Sequence, residues 1–573
     1  MTRFNKVTLQ PKPQVNAIRS ELKASALSAL GGPGYLRDTM SELFLLGVTN
    51  FVGQETHHES AYGRDSRYAT LIQKVALEDD GPKFLAEFFR WLRNKANIRT
   101  ASYVGAAHLV AARKGMPDDG GFVRQAVANS LGRAEEPGEL IAFWSATYGG
   151  QLPRPLKRGI AMAIVRLYTE RSALAWDTET KAFRFARVLD LTHPTHEEIV
   201  EFANSRNRDA DEATRAPLRT EYFIQQKRTL FNYLHARMRG RAIETPPDLK
   251  MIAAREALFA IPPSERFEYL HNHPTPTTLM REAGMTWQAA ASWYGRALDA
   301  RFWAGMIPNM GVQGLLMNLR NFDKAGIAAG DVDLVCAILE DEVKVQRSKI
   351  LPMQVLSAYR AVTSDHWGKA LSRALDASLA NVPAFDGKTL ILVDTSTSMD
   401  NRLSADGELK RWDAAVIFAV ALASRANDAK IASFSSMRKF FGDPRGAHTR
   451  RFELKPGESL LKAVERWKAE GYFLGGGTDT ALALRKEFER GFMRVVIITD
   501  EQEGEDPVEV SESIPASVPM ITLNMAGYRT GHAPSGTRNR IAIGGFNDAA
   551  FTLLAASDRY SKGRWPWETA PAA

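Results

Sequence analysis

A single cysteine, Cys336, stands in a chain of 573 residues. A lone thiol excludes an intramolecular disulfide and any cysteine-rich zinc site, and it fits a reducing compartment. No run approaches the ~18 uninterrupted apolar residues of a membrane-spanning helix, and MTRFNKVTLQPKPQV at the start has no apolar signal core. The expectation is a cytoplasmic protein with no membrane partner. No Ser/His/Asp or Cys/His constellation stands out, so nucleophilic catalysis has no candidate residues. Strand-like alternation is scarce between Ser20 and Leu379. Acidic residues fall slightly short of basic ones, 66 Asp+Glu against 74 Lys+Arg, and the formal charge of +8 favours an acidic partner such as nucleic acid.

What fills the first two thirds is helical periodicity. GPKFLAEFFRWLRN, GELIAFWSATYG, VCAILEDEVKVQ and PMQVLSAYRAV are amphipathic segments of ordinary length, separated by short Gly, Pro and Asn punctuation. Many such helices in tandem predict stacked helix pairs, a divergent solenoid. Phe88, Phe89, Trp91 and Trp144 read as core rather than as base-stacking platforms.

The texture changes after Pro383. TLILVD, KIASFS, RVVIITD and VPMITLN are short, β-branched runs alternating with helical stretches such as RWDAAVIFAVALASRAN and ESLLKAVERWKAE. Continuous apolar strands separated by helices are what a parallel sheet covered on both faces requires. The C-terminal third is therefore expected to be a doubly wound α/β domain, with ligands bound beyond the carboxyl ends of its strands.

Asp394 and Asp500 stand at two of those ends. In DTSTS, Asp394, Ser396 and Ser398 put three oxygens on one tight loop, and Thr478 in GGGTDT and Asp500 in IITDEQEG supply two more from neighbouring turns. Five hard oxygen ligands suit a divalent cation, Mg2+, that keeps some of its water. The plainer alternative is a set of helix-capping turns. From about Lys388 to Ala556 the order of these loops resembles the metal ion-dependent adhesion site of von Willebrand factor A domains. That resemblance implies a docking site for an acidic group of a partner.

Other motifs fail on spacing. GKT at Gly387 to Thr389 has Val382 where a phosphate loop needs its first glycine, and the triplet precedes a strand. HEEIV has Val200 where a zinc protease needs its second histidine. His57 and Glu59 lack the cysteine pair that a zinc deaminase adds.

FVGQETHHESAYGRDSRYATLIQ, GELIAFWSA, RPLKRGIAMAIVRLY, VLDLTHP, GVQGLLMNLRNFDKAGI and ILPMQVLSAYRAV follow one another in the order seen in TROVE domains. The chain thus resembles the Ro ribonucleoprotein family, from roughly Asn50 to Val362, in a compact layout of bacterial type. The resemblance implies a multidomain protein. An all-α TROVE domain over 1–380 forms a monomeric ring of HEAT-like helical repeats, a von Willebrand factor A-like domain spans 381–560, and 561–573 form a tail. It also implies partners: a small noncoding Y-like RNA on the outer surface, single-stranded ends of misfolded RNAs in the central cavity, and an exoribonuclease such as polynucleotide phosphorylase.

Helical phasing in RPLKRGIAMAIVRLY sets Leu156, Ile160, Ala163, Ile164 and Leu167 on one stripe and Arg154, Lys157 and Arg158 on an adjacent face. Such a cluster grips phosphates or is a solvated basic face; the family resemblance favours RNA. The same resemblance places His193, in DLTHP, near the RNA surface. Arg64 and Arg67 in GRDSRY share a helix face, and Arg320 in NLRNFD can brace the repeat packing by pairing with Asp323; all three read equally as functional contacts or as braces. The function expected is RNA binding by shape and charge in noncoding RNA quality control, without catalysis. A magnesium-dependent RNA-processing enzyme and a protein-protein scaffold acting through the adhesion site are the alternatives.

Overall fold

The computed structural model describes residues 17–28, 31–49, 59–117, 119–205, 217–241, 243–350, 352–362, 364–379, 385–402, 410–437, 446–455, 458–503, 509–536, 539–544 and 565–568. His57, the proposed boundary at 380–381 and most of the 561–573 tail lie outside the described residues. The chain divides into two compact units, one of 75–378 and one of 1–74 with 379–573. Among the described residues of 75–378, every regular element is a helix.

Gly81–Asn94 shows how these helices arise. Pro82 sits in the first turn, where its missing N–H costs nothing. Phe84, Leu85, Phe88, Phe89, Trp91 and Leu92 then fall on one buried stripe, while Lys83 and Arg90 stay exposed. Packing runs to the next helix but one. Gly81–Asn94 lies on Phe122–Ser130, which lies on Arg154–Leu167; further along, Lys250–Phe259 lies on Pro276–Glu282, which lies on Ala300–Met306. Contact between alternate helices is the mark of stacked pairs. Trp144 is buried as expected. The brace expected between Arg320 and Asp323 does not form: Oδ1 of Asp323 accepts the indole N–H of Trp367 at 2.9 Å and lies 3.3 Å from His366. Trp367 is fully buried and its N–H needs an acceptor, so the distant partner wins over the local one.

The second unit is built on strands β1 (Ala26–Leu27), β2 (Pro33–Leu36), β3 (Phe385–Asp394), β4 (Ala426–Met437), β5 (Gly446–Phe452), β6 (Arg494–Thr499), β7 (Met520–Asn524), β8 (Thr530–Gly531) and β9 (Arg540–Gly544). Its main sheet has the order β5-β4-β3-β6-β7-β9, parallel except for β5. Leu390 and Leu392 join Ala481 and Leu484 of helix Thr480–Glu487 in one core. The alternate residues Ile391 and Val393 are fully buried as well, so both faces are covered, as the unbroken apolar runs require.

Residues 17–74, assigned from sequence to the helical array, cluster with this α/β unit. The reason is hydrogen bonding to its loops. β2 pairs with β8, and the Ser28 hydroxyl and the Gly32 N–H both donate to the Glu503 carbonyl. Arg37 pairs with Glu501 deep inside and donates to the Tyr528 carbonyl at 3.1 Å. Near the C-terminus, Trp565 and Trp567 stack on each other and pack against buried Phe44, at 5.4 and 6.2 Å between ring centroids.

Candidate metal centre and basic cleft

The sheet order reverses between β3 and β6, because β3 sends its next neighbour, β4, to one side and β6 lies on the other. Doubly wound sheets bind ligands at such a switch point. Asp394 ends β3 and Asp500 follows β6, so both carboxylates stand there. Thr499 donates to Oδ2 of Asp394 at 2.6 Å, and the Ser396 N–H donates to Oδ1 at 2.9 Å. Ser396 and Ser398 share a hydroxyl hydrogen bond of 3.1 Å.

The Thr478 loop is brought to the same place by its glycines. The Ser436 N–H donates to the Gly477 carbonyl at 2.7 Å, Gly475 donates to the Thr395 carbonyl at 2.9 Å, and Thr397 donates to the Gly476 carbonyl at 2.9 Å. Gly476 has φ of +84°, and a Cβ there would lie 2.3 Å from the Ser436 carbonyl oxygen. Only glycine permits that approach.

All five proposed ligand residues are buried, at 0 to 4 % exposure. Burial, and then the neighbouring Asp500 charge, push the Asp394 carboxyl up to about 7. The Thr478 hydroxyl is buried without a hydrogen-bond partner among the described residues. Unused lone pairs on buried oxygens beside two like charges are costly, and a hard cation would satisfy both needs. Among the described residues no three His, Cys, Asp or Glu side chains converge, so a metal here would rest on hydroxyls as much as on carboxylates. The donor set fits magnesium.

In the helical unit, Arg154–Leu167 buries Leu156, Ile160, Ala163 and Ile164 completely, with Leu167 only half-buried. Arg154 and Lys157 have no acidic partner among the described residues. Arg158 does: its Nε and Nη2 both donate to Glu198, and its Nη1 donates to the carbonyls of Thr192 and His193 at 2.9 and 3.1 Å. His193 caps helix Phe185–Thr192 at φ of +47°, its imidazole exposed. Arg158 and His193 are thus brought together, with Arg158 committed to holding the turn.

Arg154 and Arg158 line a cleft with Asp119, Gly120, Gly121, Pro155 and Arg124. Arg124 is exposed and has no acidic partner among the described residues. Its presence follows from Gly159, where a Cβ would come within 2.7 Å of the Arg124 carbonyl oxygen and 2.5 Å of the Val127 Cβ; a bare Cα lets the two helices close together. Asp119 is the acidic group in the cleft, and its carboxylate accepts the N–H groups of Gly121 and Val123 at 2.9 and 3.2 Å. Sequence reading missed Arg124 because nothing local marks it; only the glycine at 159 hints at the close approach.

Arg64 and Arg67 lie elsewhere. Arg64 is 1 % exposed and donates to the Ala526 carbonyl at 2.7 Å. Arg67 holds Glu59, Glu42 and the Gly527 carbonyl. Both guanidiniums are internal braces of the α/β unit, and neither is offered to a ligand.

No curated protein sequence matches the chain significantly. Residues 281–385 match the TROVE domain. The chain also superposes on the crystal structure of the Deinococcus radiodurans Ro (Rsr) protein with a TM-score of 0.57 and 17% sequence identity, over 92% of this chain and 100% of that one. No helix among the described residues is long and apolar enough to cross a membrane. Residues 281–385 are thus similar to the TROVE domain, and the chain shares its fold with the Deinococcus radiodurans Ro protein.

Proposed function

We propose that the protein binds RNA at the cleft between helices Phe122–Ser130 and Arg154–Leu167 and performs no chemistry on it. The observation that carries this reading is the convergence of Arg124 and Arg154, neither paired with an acidic group among the described residues, on one cleft lined by Gly120 and Gly121. Two like charges sharing a concavity repel until an anion enters, and guanidinium forks match phosphate oxygens. Phosphate contacts are indifferent to sequence and suit a folded RNA read by shape. Within that class, the Ro resemblance supports a small noncoding Y-like RNA at the cleft, handling of single-stranded ends of misfolded RNAs, and an exoribonuclease as partner.

The α/β site is read as a docking centre holding Mg2+ on Asp394, Ser396, Ser398, Thr478 and Asp500. When bound, the ion would attract a carboxylate of a partner. A nuclease built on two metals gathers more carboxylates than the pair present here.

The test is RNA affinity measured over a series of salt concentrations for the full chain and for Arg124→Ala/Arg154→Ala/Lys157→Ala. Loss of up to three phosphate contacts should weaken a structured RNA and flatten the log–log salt slope by about 2–3. An unchanged slope and affinity would remove the cleft as the RNA site. RNA loss in the presence of magnesium that Asp394→Ala abolishes would instead favour the processing enzyme.

A further inference from the structure

A second group of flat side chains lies apart from the cleft, on helices Arg266–Asn272 and Trp287–Tyr294 and the turn after them. The Arg296 guanidinium stands 4.1 Å from the centroid of the Phe267 ring. The His271 imidazole stacks on the same ring, 4.0 Å between centroids and 28° between planes. Two groups that close to one centroid cannot share a face, so they sandwich the phenyl ring. His271 is fixed from its edge, with Nε2 at 3.2 Å from the Tyr294 hydroxyl and 3.1 Å from Oδ2 of Asp299.

The inner end of this stack is therefore held by hydrogen bonds and the outer end is not. Arg296 is exposed and has no acidic partner among the described residues, so the face of its guanidinium turned away from Phe267 has nothing in the stack to cover it. Tyr269, on the same short helix, is 38% exposed. Long arginine side chains lose rotamer freedom when pinned to a surface, and a surface that pins one flat against an aromatic ring has prepared a planar cation. Unpaired nucleobases stack on arginine planes and aromatic rings alike.

We infer that Arg296, backed by Phe267 and His271, is a stacking platform for an unpaired base of single-stranded RNA. The inference rests on the RNA-binding reading but uses a different surface and a different force. Glu265 and Glu268 are exposed beside the stack, so the local charge is close to balanced. Affinity here comes from stacking, and its salt dependence is weak, in contrast to the arginine cleft.

The experiment uses the full chain and a 12-nucleotide unstructured RNA carrying 2-aminopurine, whose fluorescence falls when it stacks. A blunt RNA duplex serves as the second ligand. Arg296→Ala and Phe267→Leu, the latter keeping most of the packing volume, should each bind the single strand about tenfold more weakly. The quench should shrink, the salt slope should stay as in the unaltered chain, and duplex affinity should not change. Wild-type affinity and quench in both variants would overturn the platform while leaving the cleft standing. If the unaltered chain binds neither RNA, cleft and platform fall together. A parallel loss of duplex and single-strand binding would also overturn it, since the residues would then serve the fold and not a base.

Discussion

Glu198 closes on the guanidinium of Arg158 with both carboxylate oxygens, Oε1 lying 3.0 Å from Nε. The pair spans two helices, and the remaining Arg158 nitrogen ties down the carbonyls of Thr192 and His193. A sequence motif of three basic residues is thereby split into one brace and two cations that have no acidic partner among the described residues. Arg158→Ala should lower stability by about 1–3 kcal/mol, because it strands a half-buried carboxylate and two carbonyls. Arg154→Ala and Lys157→Ala should leave the denaturant midpoint unchanged within error. Chemical denaturation of the three variants decides: equal midpoints for all would show that the bidentate pair contributes nothing.

His108 supplies a pH dependence. It is 8 % exposed on helix Thr100–Ala112, with Nδ1 at 2.6 Å from the Tyr148 hydroxyl and its ring edge-on to Phe143. Burial pushes the imidazole down to about 4, against about 6.5 in the unfolded chain. Between those values the unfolded state binds a proton that the folded state refuses, so stability falls as pH falls from about 6.5 to 4. The loss from this group is at most about 3 kcal/mol. Urea midpoints of the protein and of His108→Gln, which keeps an acceptor for Tyr148, should converge over that window as the pH is lowered; parallel curves would mean that His108 titrates normally.

How much of this was legible depended on how local the cause was. The Leu156 to Ile164 stripe follows from a 3.6-residue period, and the positions of Asp394 and Asp500 follow from where apolar runs stop. Each needs only a dozen neighbouring residues. Arg64 and Arg67 share a helix face, as their spacing says, but the Ala526 and Gly527 carbonyls that claim them come from the far end of the chain. No pattern in GRDSRY contains that information. The placement of residues 17–74 with the α/β unit was hidden for the same reason, since Ser28, Gly32 and Arg37 find their partners at 501–528. Arg124 is a single cation in an otherwise bland helix, FVRQAVANS. It became part of a cleft only when Gly159 allowed the neighbouring helix to approach.

Thr499, Asp394 and Thr478 make the metal proposal testable without any RNA. Asp394 carries one hydrogen bond from Thr499 and one from the Ser396 backbone, and Asp500 adds a like charge to the same buried volume. Without a cation this arrangement is destabilising, so Asp394→Asn should leave the metal-free protein as stable as before or more so. With magnesium the sign reverses. A ligand that binds only the folded state stabilises it by RT ln(1 + [L]/Kd), about 1.4 kcal/mol at ten times Kd. The thermal midpoint of the unaltered chain should therefore climb as magnesium is added, while Asp394→Asn and Thr478→Val should stay flat across the titration. Thr478→Val removes one oxygen and keeps the shape, so a variant that still responds to magnesium would show that the Thr478 oxygen is not a ligand. A flat response from the unaltered chain would discard the metal centre altogether and leave the loops as capped turns.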